Sequence, residues 1–287
     1  MFQVKNVMHN TLVEGTVRET RAGKTTSKFF ETVSFNLQDG FPAVTCKQLA
    51  TKPMFGELLW FLNGETDLPN LRKRSGLADN AWTIWTDDCA RWHNGKYAYA
   101  SRYDNDNLGV VYGAQWINFN GDGIDQLSDL VDGLVNDPFG RRHIVTAWNP
   151  SEMSEMALPP CHLMFQFYVR EEHGEKYLDL VWHQRSVDVF LGLAFNIASY
   201  ATMVHIFAQI CGYKVGMLHG TLGDTHIYEQ HMDGCQEYLK RVCLGLPELV
   251  LPRITCLEDL RDLTADDFEL VDYQHQGKIA GKLSVGS

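Results

Sequence analysis

Residues 195–210 read FNIASYATMVHIFAQI, with apolar side chains on nearly every side of a 3.6-residue repeat rather than along one stripe. Such a helix is stable only when covered on most of its surface, so it is predicted to sit at the centre of the fold. Residues 54–62 and 124–134 show helical apolar spacing as well. Residues 29–35, 142–148, 162–169 and 177–182 are rich in β-branched and aromatic side chains with partial alternation, which predicts strands buried on one face. The two element types do not alternate strictly. An α+β fold is therefore expected, with helices packed on a mixed β-sheet. No repeat, low-complexity tract or Pro/Ser-rich linker divides the chain, which predicts a single domain over residues 1–287. The sheet's other face is expected to be apolar and to be covered by a second copy in a homodimer.

The formal net charge of -11 and the pI near 5.4 argue against a surface that wraps nucleic acid, which needs a basic footprint. An anionic ligand would need a local cluster of arginines. The first residues lack a basic stretch leading into an apolar run, and the apolar stretches look too short or interrupted to span a bilayer, so a cytoplasmic protein, or one of host cytoplasm if viral, is expected. The seven cysteines are scattered without a CxxC pair, which predicts reduced thiols and no metal site.

Several segments carry chemistry. Cys161 follows Pro159-Pro160 on a stiff platform ahead of a predicted strand, and reads either as a small buried hydrophobe or as a nucleophile. Gln184-Arg185-Ser186-Val187-Asp188 gathers an amide, a guanidinium and a hydroxyl at a strand end, a set suited to a phosphate or to lowering the pKa of a nearby thiol. Arg141-Arg142 is a second pair of cations, which a plain surface could also explain. Asn196, near the start of the most apolar helix, reads first as an N-cap. His226 and Tyr228 lie two apart, so in an extended segment they face one way and can share one hydroxyl of a ligand.

Taken in order, these segments resemble the thymidylate synthase family along nearly the whole chain. The likeness runs through Arg21-Ala22-Gly23, Phe41-Pro42-Ala43-Val44-Thr45, Glu57-Leu58-Leu59-Trp60-Phe61-Leu62, Val111-Tyr112-Gly113 and Arg141-Arg142. It continues through Pro159-Pro160-Cys161-His162, Gln184-Arg185-Ser186, Phe190-Leu191-Gly192-Leu193, Phe195-Asn196-Ile197-Ala198-Ser199-Tyr200 and Gly223-Asp224-Thr225-His226-Ile227-Tyr228. The resemblance implies an α+β homodimer that makes dTMP from dUMP, with 5,10-methylenetetrahydrofolate as co-substrate and no metal.

The resemblance also implies roles. Cys161 adds to C6 of the uracil, and Arg185 helps keep that thiol ionised while it binds phosphate. Arg21, Ser186 and a partner's Arg141 and Arg142 complete the phosphate grip, with Gln184 among the substrate-binding residues, and His226 and Tyr228 hold the sugar 3′-hydroxyl. Asn196 reads the base, since one amide can serve both O4 and N3–H of uracil. Glu57 relays protons near O4 and the folate, and Tyr112 helps remove the C5 proton. Asp188 bonds the pterin, Trp85, Gly192 and Leu193 line the folate site, and Lys47 meets its glutamate tail.

The chain departs from the family pattern at Ala194, Val110, Ala114 and Ile117, and residues 86–107 are unusually aromatic and polar beside the expected folate wall. The family's apolar closing tail corresponds to IAGKLSV at 279–285, here followed by Gly286-Ser287. Closure matters because the methylene intermediate on the nucleotide takes either a hydride or a water. The alternative activity is accordingly a dUMP 5-hydroxymethylase that gives 5-hydroxymethyl-dUMP and tetrahydrofolate.

Overall fold

The computed structural model describes residues 1–95 and 99–282. The chain opens with helix α1 (Phe2–Glu14) and the hairpin β1 (Thr16–Thr20) and β2 (Gly23–Asn36). Five helices follow: α2 (Thr51–Leu62), α3 (Leu68–Arg74), α4 (Thr86–Asn94), α5 (Tyr112–Ile117) and α6 (Gln126–Asn136). Then come β3 (Ile144–Thr146), β4 (His162–Glu172), β5 (Glu175–Asp188), α7 (Leu193–Cys211), β6 (Lys214–Tyr228) and α8 (Met232–Lys240). A small antiparallel pair, β7 (Glu248–Val250) and β8 (Glu269–Val271), lies apart from the main sheet. Residue ends 283–287, and with them Leu283, Val285 and Gly286-Ser287 of the expected closing tail, fall outside the described residues, as do residues 96–98 of the unusual segment.

The main sheet has the order β1-β2-β6-β5-β4-β3, and all its pairs are antiparallel except β5 with β6. A parallel pair needs a crossover, and α7 supplies it. This gives the mixed sheet and α+β class expected from the sequence. Helix α7 ends at Gly212, whose φ of 69° and ψ of 31° allow the chain to turn back into β6. By length and composition α7 would reach across a bilayer, contrary to the expectation from its sequence, yet most of it is buried in the core. Tyr200 stacks on Trp182 of β5 at 5.2 Å and 9°, and Gly220 of β6 makes room for that indole: a Cβ there would lie 2.4 Å from it.

The opposite face of the sheet is more polar than expected. It presents His183, His219, Thr221, Ser34 and Gln166 beside Tyr168, Val181 and Met217, because alternation sends these residues away from the helices. Ser34 Oγ and His219 Nδ1 are 2.8 Å apart, and Thr221 Oγ1 and His183 Nδ1 2.6 Å.

One irregularity positions the site. Along β5 the buried residues are Leu178, Leu180, Trp182 and Gln184, after which the phase slips and Val187 is the next one inside. In β6 the slip falls between Leu222 and Thr225, and in β2 Phe30 takes a φ of 71°. At β4 the register shifts between His162 and Met164. A slip of one residue exchanges the faces of a strand, so the ends of β5 and β6 aim a different set of side chains into the space beside α2 and α7 than regular alternation would. Gly223 is required there, since a Cβ would lie 2.7 Å from the Arg185 carbonyl oxygen.

Candidate active site

Three adjoining cavities form one cleft, with Ile84 and Trp85 lining all three. The polar end, about 410 Å³, is lined by Arg21, Arg185, Ser186, His226 and Tyr228 together with Asp88, Asp188 and Asp224. The floor, about 240 Å³, is lined by Glu57, Tyr112, His162, Gln184, Gly192 and Asn196. The apolar end, about 360 Å³, is walled by Trp82, Leu191 and Phe195. Half-buried Cys161 lines both the polar end and the floor.

The backbone of Cys161 is held from both sides. Its N–H donates to the Tyr112 hydroxyl at 2.7 Å, with the His162 N–H nearby at 3.4 Å, and its carbonyl accepts from the Arg185 N–H at 2.9 Å. With both phenol lone pairs turned to amides, Tyr112 has its own hydrogen left to offer. Burial pushes the Tyr112 pKa well above 10, so the phenol stays protonated.

Arg185 lines the polar end, and its charge favours the Cys161 thiolate. Its Nε and Nη2 donate to the carbonyls of Pro160 and Pro159, both at 2.9 Å, so the guanidinium braces the proline platform. Burial then outweighs the pull of Arg185, and the Cys161 thiol is raised above its ordinary pKa.

Asn196 is not the helix cap. Gly192 takes that place, and the Asn196 N–H already donates to the Gly192 carbonyl at 2.9 Å, inside the first turn. The amide is aligned by a chain: Trp182 Nε1 donates to Gln184 Oε1 (3.1 Å), and Gln184 Nε2 donates to Asn196 Oδ1 (3.1 Å) and the Ser186 carbonyl (3.0 Å). Enclosure pushes neighbouring His162 down to about 4, leaving it neutral.

Glu57 is buried in the middle of α2, with Trp85 Nε1 donating to it at 2.7 Å. Burial raises its carboxyl to about 7, a shift the indole partly opposes. Asp188 caps the turn before α7, accepting from the N–H groups of Phe190 (2.9 Å) and Leu191 (3.0 Å).

Two residues, Leu193 and Lys47, lie elsewhere than expected. Leu193 is fully buried in the core, and Leu191 and Phe195 face the cleft in its stead, since the first turn of α7 starts at 193 and rotates that side chain inward. Lys47 is buried beneath the 188–191 turn, donating to the Phe190 carbonyl and lying 4.4 Å over the Phe190 ring, away from the open apolar end. Arg141 and Arg142 are exposed ahead of the edge strand β3 and line none of the three cavities. Sequence reasoning did not single out Asp88 or Asp224, although the latter sits inside the same Gly-Asp-Thr-His run as His226.

His226 and Tyr228 do face one way, 5.2 Å apart in the polar end. The family model described as "Thymidylate synthase" matches residues 2–285. A "Probable thymidylate synthase" of Escherichia phage T5 is 46% identical over 288 residues, covering 99% of this chain and 100% of that protein. The "Thymidylate synthase" of Enterobacteria phage T4 is 40% identical over 298 residues, again covering 99% and 100%. A family is a shared core as much as a shared site, and a match of this extent takes in both: the chain belongs to the thymidylate synthase family, enzymes that transfer a one-carbon unit with methylenetetrahydrofolate as co-substrate.

Proposed function

We propose that the protein methylates dUMP reductively to dTMP, with Cys161 as the nucleophile. The observation that carries this reading is the place of Cys161: one thiol borders both the polar end and the floor where Asn196 and Glu57 lie. Its sulfur forms a bond to C6 of the uracil, the C5–C6 π pair moves to C5 and O4, and, because burial raises the thiol pKa, the thiol proton passes to a solvent water in the same step. The aligned Asn196 amide serves O4 and N3–H. Glu57, near 7, can both give and take a proton at neutral pH. Tyr112, with only its hydrogen free, orders a water for the C5 proton. The co-substrate supplies the one-carbon unit and then the hydride. The apolar slot between Trp82, Trp85, Leu191 and Phe195, with the Asp188 carboxylate and Gly192 at its edge, fits a flat heteroaromatic ring. Incubation with dUMP and 5,10-methylenetetrahydrofolate should yield dTMP and dihydrofolate in equal amounts, read by mass spectrometry and absorbance. A 5-hydroxymethyl product with tetrahydrofolate would overturn this reading in favour of hydroxymethylation.

A homodimer that exchanges Arg141 and Arg142 belongs to the same proposal. Among the described residues the polar end is lined by two arginines, one of them braced on Pro159 and Pro160, and by three aspartates. A dianionic phosphate needs further cations there, and the exposed pair before β3 supplies them to a second copy. Mixing inactive Arg142→Glu and Cys161→Ala subunits should restore activity, because each mixed dimer holds one site with both an intact thiol and an intact arginine. No recovery under verified subunit exchange would assign each site to one chain.

A further inference from the structure

Cys46 and Cys243 are 197 positions apart in the chain, yet their sulfurs lie 3.3 Å from each other. Cys46 is buried in the segment that leads into α2, and half-buried Cys243 follows the end of α8. The two backbones are clamped together beside the sulfurs. The Leu244 N–H donates to Thr45 Oγ1 at 2.8 Å, and Arg241 Nη1 donates to the Cys46 carbonyl at 2.9 Å. Lys5 pins α1 to the same corner, its Nζ donating to the carbonyls of Leu239 and Arg241. Neither thiol lines the cleft that holds Cys161. A disulfide bond is about 2.05 Å long, so closing this contact takes a shift of about 1.3 Å between side chains whose backbones are already paired.

We propose that Cys46 and Cys243 form a redox modification site, oxidised by hydroperoxides to a reversible disulfide that staples the approach to α2 onto the exit from α8. Cys243 reacts first because solvent reaches it. Its sulfur attacks one peroxide oxygen and the O–O bond breaks, which gives a sulfenic acid on Cys243 and, from hydrogen peroxide, one water. Burial, and after it the Cys243 sulfur, pushes the Cys46 thiol up to about 11, so Cys46 is the poorer first nucleophile. Contact makes up for this in the second step, where the attacking and accepting sulfurs are held side by side. The Cys46 sulfur attacks the Cys243 sulfur, the S–O bond breaks, and the hydroxyl leaves with the Cys46 proton as a second water. The thiols lose two electrons and the peroxide gains them. A dithiol reductant reverses the bond by thiol–disulfide exchange. Because the stapled loop is long, the cross-link removes much of the freedom of the unfolded chain, and the oxidised protein is the more stable form.

The test treats the full chain, wild type and with Cys243→Ser or Cys161→Ala, with a small molar excess of hydrogen peroxide, then blocks the remaining thiols. Non-reducing peptide mapping and thermal unfolding follow. Wild type and Cys161→Ala should each yield a cross-linked peptide pair joining residues 46 and 243, lighter by two hydrogens than its parts. Their unfolding midpoints should rise by roughly 5 °C, and dithiothreitol should reverse both changes. Cys243→Ser should show neither change. If the serine variant does not fold, the wild-type map and midpoint decide by themselves. Recovery of Cys46 and Cys243 as free or sulfinic species, or a cross-link that needs Cys161, overturns the inference. So does a 46–243 cross-link that leaves the midpoint unchanged or lowers it. The outcome does not depend on whether the protein forms dTMP.

Discussion

Glu57 and Asp224 are both carboxylates of one cleft, and their surroundings drive them in opposite directions. Glu57, on an apolar helix face, has one indole donor at 2.7 Å, and burial lifts it to about 7. Asp224, on β6, has His226 at 3.5 Å, Ser27 at 2.5 Å and Arg18 at 2.9 Å, and these partners hold it down at about 2 despite partial burial. The difference teaches that donor count against lost water, and not residue type, decides whether a carboxyl moves protons or stands as a fixed charge. The floor is where protons can move, while at the polar end Asp224 anchors His226.

The sharpest way to break this contrast is Glu57→Gln, which removes the proton and keeps the shape. Turnover should fall about 10²- to 10³-fold while the equilibrium Kd for dUMP stays within a few-fold. Retention of more than about a tenth of the activity would locate the proton chemistry elsewhere.

Asn196→Asp puts a carboxyl deeper in the same floor, where it reverses the hydrogen-bond demand on the base. The ratio of kcat/KM for dUMP to that for dCMP should drop by roughly 10- to 100-fold. An unchanged ratio would reduce Asn196 to a link in the Gln184 chain.

Stability against pH provides a smaller effect with a definite sign. Glu57 binds its proton more tightly folded than unfolded, so its contribution is present below about 4.5 and is lost as pH rises towards 7. Relative to Glu57→Gln, wild type should weaken across that window by on the order of 3 kcal/mol in urea unfolding. For Asp224 the sign reverses: its contribution is present above 3.8 and disappears as pH falls through about 2. Asp224→Asn should therefore narrow its deficit against wild type only in strong acid. Parallel pH profiles for the two variants would contradict the contrast.

Much of this was legible before any coordinates. The all-round apolar pattern of 195–210 made α7 central, and alternation located most of β4 and parts of β2 and β5. Strand β6, which pairs with both β2 and β5, was harder to read, because Gly216, Gly220 and Gly223 look like strand breakers. They are room instead: Cβ atoms there would strike Asp179, Trp182 and the Arg185 backbone. The stretch at 142–148 shrinks to Ile144–Thr146 because β3 is a short edge strand with a partner on one side only.

The site divides along the same line. Cys161, Asn196, Arg185 and the His226-Tyr228 pair were visible because ordered chemical types at set spacings survive in one dimension. Leu191 in place of Leu193, the thiol raised by burial beside an arginine that also braces two carbonyls, and the opposite pKa shifts of Glu57 and Asp224 were not. The amino-acid sequence by itself determined the central helix, part of the strand set and the inventory of reactive groups, since periodicity and residue type are properties of the chain. Which face each group meets, how much water it loses and which donors reach it were decided only in the tertiary structure, because those energies depend on distances between residues such as Ser27 and Asp224 that lie 197 positions apart.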